Sequence, residues 1–361
     1  MDNKQAHGFP SGTEIPFIYV KKRRGAGFWT AIGLAVFFFL CTLFLFILLI
    51  GTLAFNNVLV TSSMAKGKKH VSETIVEGSG DSKLAIISIK GILSNEATEN
   101  LIIEKPSIIE MAKQHLEQAA EDDRVKAVLL EIDSPGGGIT ASDILYNCIM
   151  NFKAETGKPV VAYMRDVAAS GGYYISCAAD VIAAHPTTIT GSIGVIMPLI
   201  NVADLINRYG IMDNSIASGD MKQIGSPLKE MTSGEADVLK DIIDEMYMQF
   251  VTVVSTGRGM EIEAVKKIAD GRIYTGKQAL ENGLIDQLGY LEDAIAAAKK
   301  LAGITEATVV RYEKHYGLAD IFGLMAAQFS QNKTIQLDIS QFQEKNDSKP
   351  MYLWTTNSNN Q

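Results

Sequence analysis

Between Gly25 and Ala65 the chain carries no charged side chain, and the middle of that stretch, Phe28 to Phe55, is dense in Phe, Leu and Ile. No other feature constrains the fold so strongly. As a helix, such a run crosses the ~30 Å hydrocarbon layer of a bilayer, for which about 20 apolar residues suffice. A cleaved signal peptide has a shorter apolar region, about 7–15 residues, placed closer to the start. The stretch therefore predicts an uncleaved single-pass anchor over 28–55, behind an N-terminal tail of residues 1–27. Lys21, Lys22, Arg23 and Arg24 before the span favour an N-terminus inside, while Lys66, Lys68 and Lys69 after it pull the other way. Four against three puts the rest of the chain on the outer side. Trp29 fits an interfacial position.

Beyond the span, residues 56–82 are small and polar and read as a linker. A domain over 83–310 follows, then an extension over 311–361 whose polar composition predicts partial disorder. LAIISIKG (84–91), VKAVLLEID (125–133) and KPVVAYM (158–164) read as buried strands. Helical spacing marks 107–122, opened by a Ser-x-x-Glu capping box, and 139–155. SPGGG (134–138) between them reads as a turn. Strands alternating with helices predict an α/β core with a parallel sheet. After residue 230 the pattern is helical, with a second capping box at Thr232-x-x-Glu235 and shorter helices near 261–269, 276–282 and 291–301. A net charge of −8 argues against a nucleic-acid partner. The three cysteines, Cys41, Cys148 and Cys177, make no disulfide framework and allow one bond at most.

The stretch DVAASGGYYIS (166–176) sets a serine between a buried strand and the start of a helix. Ser170 reads as a helix cap or as a nucleophile. Its place after a buried strand is where α/β folds put their ligands. Gly171 and Gly172 clear the approach to the hydroxyl, and the helix start offers N–H groups to a developing anion. A serine nucleophile needs a base. His7 lies before the span, His70 in the linker, His115 on a helix that favours a packed or solvated role, and His315 in a poorly patterned region. His185, at a strand end before Pro186, is the one histidine placed for the task. A neutral lysine is the other known partner, and Lys222 and Lys229 in the glycine- and serine-rich segment SGDMKQIGSPLKE are equal candidates on these grounds. An ordinary lysine, with a pKa of ~10.4, is only about 0.04% neutral at pH 7, so a base of this kind must be buried from water.

Five ordered motifs decide between them by resemblance: DSPGGG (133–138), VAASGGYYIS (167–176), TGSIGV (190–195), GDMKQIGSP (219–227) and GRIYTGKQALENGLIDQLG (271–289). From about Ala85 to Leu301 the chain resembles the signal peptide peptidase A family of membrane-anchored bacterial serine peptidases, in its short, single-domain form. The resemblance implies a Clp protease/crotonase-like spiral of βαβ units. It implies Ser170 as nucleophile, Lys222 as general base, Gly137 and Gly171 as oxyanion-hole donors, and Ser192 as the hydroxyl that orients the lysine. His185 is then left without a catalytic role, and PMYLW (350–354) looks like the family's C-terminal end. It further implies a homo-oligomeric ring in which serine and lysine meet across a subunit boundary, peptide substrates left by signal-peptide cleavage, and no cofactor or metal. Asp220, the carboxylate nearest Lys222 in sequence, is expected to face solvent.

Two other readings remain beside the peptidase. A crotonase-type acyl-CoA enzyme suits the fold and the glycine turn but not an outward-facing anchored domain. A non-catalytic membrane scaffold that binds peptides suits the anchor but leaves the Ser170 and Lys222 motifs without purpose.

Overall fold

The computed structural model describes residues 25–64, 71–96, 98–100, 103–313 and 351–353. The basic cluster at 21–24, the lysines at 66–69, His7, His70, His315 and most of the C-terminal extension lie outside the described residues. The chain divides into two units, residues 1–69 and 70–361.

Among the described residues the first unit holds one helix, α1 (Ala26–Met64), longer than the span expected from composition. Within it Trp29–Leu49 is 21 residues long and apolar enough to cross a membrane, about 31 Å at the helical rise. Its large side chains, Phe37, Phe38, Phe39 and Phe44 among them, are exposed. An unshielded apolar helix of this length is stable against water only when lipid or protein covers it.

The second unit is an α/β domain. Its elements in order are β1 (Ser72–Glu77), β2 (Lys83–Lys90), β3 (Thr98–Asn100), β4 (Ile103–Lys105), α2 (Ile108–Glu121), β5 (Val125–Ser134), β6 (Gly136–Gly138), α3 (Ile139–Thr156), β7 (Val160–Ala169), α4 (Gly171–Ser176), β8 (Val181–Ala184) and β9 (Ile189–Gly191). Then come α5 (Ala203–Arg208), a 3-10 turn at Asp220–Gln223, α6 (Ser233–Arg258), α7 (Ile262–Ile268), β10 (Ile273–Thr275), α8 (Gly276–Glu281), β11 (Gln287–Leu288), α9 (Leu291–Leu301), β12 (Thr308–Glu313) and β13 (Met351–Leu353). The main sheet runs β1-β12-β2-β5-β7-β8-β11, with β9 on β7 and β10 on β9. All its pairings are parallel except β1 with β12 and β9 with β10.

Successive side chains of a strand point to opposite faces, so a sheet covered on both sides reads as a continuous apolar run. In β2, Ala85, Ile87 and Ile89 pack with α2, α3, α4 and α6, while Leu84 and Ile86 pack with Ala294, Ile295 and Ala298 of α9. Both helix starts are capped where expected, though α2 shows only one half of its expected box. Ser107 Oγ accepts the Glu110 N–H at the start of α2, and Thr232 and Glu235 form the reciprocal box that opens α6. Glu131 is a buried carboxylate in the middle of the sheet. Burial pushes its carboxyl up, but the Ser88 hydroxyl at 2.7 Å and the Arg311, Lys90 and Arg165 cations hold it below the usual carboxylate range.

Three expectations from local composition give way. The 56–82 segment is not all linker: α1 continues to Met64, and β1 pairs antiparallel with β12. SPGGG is not simply a turn, since Gly136–Gly138 is a strand paired with β13. The extension is not wholly without structure: residues 311–313 complete β12 and Met351–Leu353 forms β13. In each case the partner is distant in sequence, so the local pattern carries no sign of it.

Candidate active site

The sheet places the site through β7. Its first half pairs with β8, and its last three residues, Val167–Ala169, pair with β9 instead. That exchange carries β7 past the end of β8 and delivers Ser170 to the start of α4. Ser170 has φ 52° and ψ −116°, one of two non-glycine residues with positive φ among the described residues, the other being Ser192 at φ 51°. Such conformations cost about 1–3 kcal/mol and persist only where surrounding bonds enforce them. Here the Ser170 N–H donates to the Gly191 carbonyl at 2.7 Å, and its carbonyl accepts the Tyr174 N–H at 2.8 Å. The Ser170 side chain makes no capping hydrogen bond, although the residue is only 1% exposed. A cap is therefore not what this hydroxyl does.

Beside it runs the glycine strand. A Cβ on Gly136, whose φ is 100°, would lie 2.7 Å from the Gly171 nitrogen and 2.0 Å from the Tyr352 carbonyl oxygen. A Cβ on Gly171 would lie 2.4 Å from Ser142 Oγ and 3.2 Å from Gly136 Cα. Only glycines allow these two backbones to touch. Leu93 fixes the strand from its other edge: its N–H donates to the Gly136 carbonyl at 2.8 Å, and its carbonyl accepts the Gly138 N–H at 2.9 Å. Backbone groups alternate sides along a strand, so the Gly137 N–H faces away from Leu93, towards its register partner Tyr352. The Tyr352 carbonyl oxygen lies against both backbones: a Cβ on Gly136 or on Gly171 would come within 2.0 or 3.2 Å of it.

Strand β13 shows how that surface receives an extended chain. Met351, Tyr352 and Leu353 pair with Gly138, Gly137 and Gly136, and Met351 also bridges to Ile196. The Tyr352 ring is fully buried, stacked on Tyr174 at 5.1 Å and tilted against Phe250 at 4.7 Å. Its hydroxyl donates to the Met246 carbonyl at 2.8 Å. The Tyr174 hydroxyl in turn donates to Asp143 at 2.7 Å, and burial with that carboxylate pushes the Tyr174 phenol well up. Sequence reading did not find this aromatic pocket or Ser142. PMYLW, an apolar island in a polar tail, was the only signal of its occupant. Leu353 reaches a further cavity of about 590 Å³, on which Ser192, Ile196, Tyr247 and Asp270 also open.

The expected residues are placed by different contacts. Ser170 bonds the Gly191 carbonyl, one residue before Ser192, and Gly136, one residue before Gly137, packs against Gly171. Lys222 makes no hydrogen bond to Ser170 among the described residues. It is exposed on the 3-10 turn Asp220–Gln223, and its amine has no hydrogen bond or ion pair among the described residues. Asp220 is exposed as expected. Lys229, equal to Lys222 in the sequence, is engaged by the buried Glu235 at 2.6 Å. His185 bonds Thr187 through Nδ1 at 2.8 Å and packs on Tyr290. His115 is buried against Tyr312, and burial lowers its pKa to about 4. Neither ring bonds Ser170. The Cys177 thiol, buried under the site, is pushed up to about 12 by burial and is inert as a nucleophile. Among the described residues no cluster of His, Cys, Asp and Glu could hold a metal.

The chain is similar to known proteins along most of its length. Residues 153–305 match the profile of peptidase family S49. A protein of Enterococcus faecium named for signal peptide peptidase SppA is 36% identical over 303 residues, covering 81% of this chain and 85% of its own. A protein of Methanocaldococcus jannaschii named as a protease is 41% identical over 58% of this chain and 66% of its own. The chloroplastic serine protease SPPA of Arabidopsis thaliana is 36% identical over 62% of this chain, which spans only 33% of that longer protein. With most of the Enterococcus relative matched, and a strained, uncapped serine set against a glycine strand, the chain belongs to peptidase family S49.

Proposed function

We propose that the chain is a membrane-anchored serine endopeptidase in which Ser170 is the nucleophile and Lys222 the general base. The substrates are cleaved signal peptides and similar apolar peptides. The observation that carries this reading is Ser170 itself: a strained, uncapped serine beside a glycine strand that already holds an extended segment. A peptide laid along Gly136–Gly138 as β13 lies there brings a backbone carbonyl to Ser170.

The steps follow from the groups present. Ser170 Oγ attacks the scissile carbonyl carbon as its proton passes to the neutral Lys222 amine. The negative charge that develops on the carbonyl oxygen is held by the Gly171 and Gly137 N–H groups. Donors of this kind are worth about 10²–10³ in kcat each. Lys222 then protonates the leaving amine, and water, deprotonated by the same lysine, hydrolyses the acyl-serine ester.

Lys222 must come from a second copy of the chain. The support is its exposed amine, without a hydrogen bond or ion pair among the described residues, and the arm that carries it. From Ile200 to Met221 this arm exposes Leu205, Tyr209, Ile211, Met212 and Ile216, a run of large apolar side chains of the kind that marks an interaction surface. An oligomer, with the ring as its expected form, would cover them and bury the lysine. The apolar helix around Trp29–Leu49 keeps the domain at a bilayer, where apolar peptides collect, with the domain on the outer side.

The test is cleavage of a synthetic signal peptide by the full-length enzyme in detergent, with fluorophosphonate labelling alongside. Wild type is expected to cleave and to label, and Ser170→Ala to do neither while keeping its circular dichroism. Cleavage by Ser170→Ala above a few per cent of wild type would sink the proposal. Labelling without peptide cleavage would point to a hydrolase of another substrate class.

A further inference from the structure

The turn Asp270–Arg272 closes on Ser192, the second serine with positive φ. The Ser192 N–H donates to the Arg272 carbonyl at 2.8 Å, and the Gly271 N–H donates to the Ile193 carbonyl at 3.1 Å. Two backbone bonds thus clamp Ser192 in place. The Arg272 side chain folds back on Asp270: Nε lies 2.8 Å from Oδ1 and 2.9 Å from Oδ2, Nη2 also bonds Oδ2, and the Arg272 N–H donates to Oδ1 at 3.1 Å. These donors lower the Asp270 carboxyl to about 2, so it is ionised at every pH at which the enzyme would work.

Asp270 lines the same cavity as Ser192. The other ionisable groups there belong to α6. Asp244 is paired with Lys240 one turn earlier, and the Tyr247 phenol is pushed up by burial, with Lys266, Asp270 and Glu263 around it. Both carboxylates of the cavity are therefore matched by a cation. That matters for an amine that must be neutral to act, because an unpaired carboxylate nearby favours its protonated form.

We propose that Arg272 is a positioning residue of the active site: its carbonyl fixes Ser192 and its guanidinium neutralises Asp270, so that a base amine brought to Ser192 meets no unpaired carboxylate. The inference rests on the Ser170–Lys222 reading. Arg272 acts through Ser192 and Asp270, and itself touches neither substrate nor reacting atoms.

The experiment is the pH profile of kcat/KM from pH 6 to 10 for one fluorogenic peptide and the full-length enzyme in detergent. Arg272→Gln keeps the backbone bond to Ser192 but leaves Asp270 unpaired. The acid limb should move up by about half a pH unit, the size expected for a charge a few ångströms away and partly screened, with the high-pH plateau kept. Asp270→Asn leaves the arginine unopposed and should move the limb down. The double variant should return it close to wild type, and added salt should shrink both shifts. A purely structural role would instead lower activity at every pH in both single variants. That result, or a limb that stays put, overturns the inference. If Arg272→Gln does not fold, the downward shift of Asp270→Asn decides alone. Lys222→Arg in the same assay separates the two ideas. Turnover by it removes the lysine base and this inference with it, whereas inactivity together with an unmoved limb removes this inference only.

Discussion

Ser170 and the two lysines of the 219–230 segment show what single residues contribute. The uncapped hydroxyl and the positive φ of Ser170 separate it from an ordinary N-cap serine, whose side chain accepts an N–H from the first turn. Lys229 and Lys222 differ only in what surrounds them. The first is held by Glu235 beneath the capping box of α6, and the second has no hydrogen bond or ion pair among the described residues. Lys222→Arg keeps the charge and much of the length but cannot accept a proton, since arginine stays charged at any usable pH. It is expected to be inactive from pH 6 to 10, while His185→Ala, which loses only contacts to Thr187 and Tyr290, keeps most of its turnover. Steady-state peptide cleavage measures both. An inactive histidine variant beside an active arginine variant would make His185 the base.

At the scale of elements, the glycine strand β6 is the decisive piece. It pairs with β13 on one edge and Leu93 on the other, and it presses on the first residue of α4. Gly136→Ala sets a methyl 2.0 Å from the Tyr352 oxygen and 2.7 Å from the Gly171 nitrogen, in a backbone conformation that alanine rarely adopts. It must push strand and helix start apart, and with them the Gly137 and Gly171 N–H groups proposed as oxyanion donors. The expected loss in kcat is about 10²-fold or more, the worth of one oxyanion donor, together with a lower melting temperature, because Leu93, Tyr174 and Tyr352 beside the strand belong to the core. A folded variant that kept wild-type kcat would mean that the strand does not position the site.

For the whole molecule, the question is how Ser170 would meet Lys222, whose amine is exposed and makes no hydrogen bond or ion pair among the described residues. If the two meet across a boundary between copies, two inactive variants repair each other. Ser170→Ala still supplies Lys222, and Lys222→Ala still supplies Ser170. Dissociating and reassembling the two full-length variants together should restore roughly a quarter to a half of wild-type cleavage, by the fraction of boundaries that join an intact serine to an intact lysine, whereas each variant alone stays inactive. A mixture that remains inactive after verified exchange would place both groups in one protomer and refute the shared site.

Much of this was legible in the sequence because it is written in local pattern. The apolar span needs no partner to be recognised. Continuous apolar runs such as 125–133 and 158–164 gave the buried strands, and Ser107 and Thr232 gave the helix starts, because side-chain period and capping act over a few residues. Ser170 stood out for the same reason, set between a strand and two glycines. What the sequence could not carry was anything that depends on a distant partner. The pairing of β1 with β12, the docking of Met351–Leu353 on Gly136–Gly138, the burial of Tyr352 between Tyr174 and Phe250, and the capture of Lys229 by Glu235 are contacts between segments. Their energies exist only once the chain has closed. Local chemistry nominated the serine and both lysines, and the tertiary structure distinguished them by what each side chain is left to do.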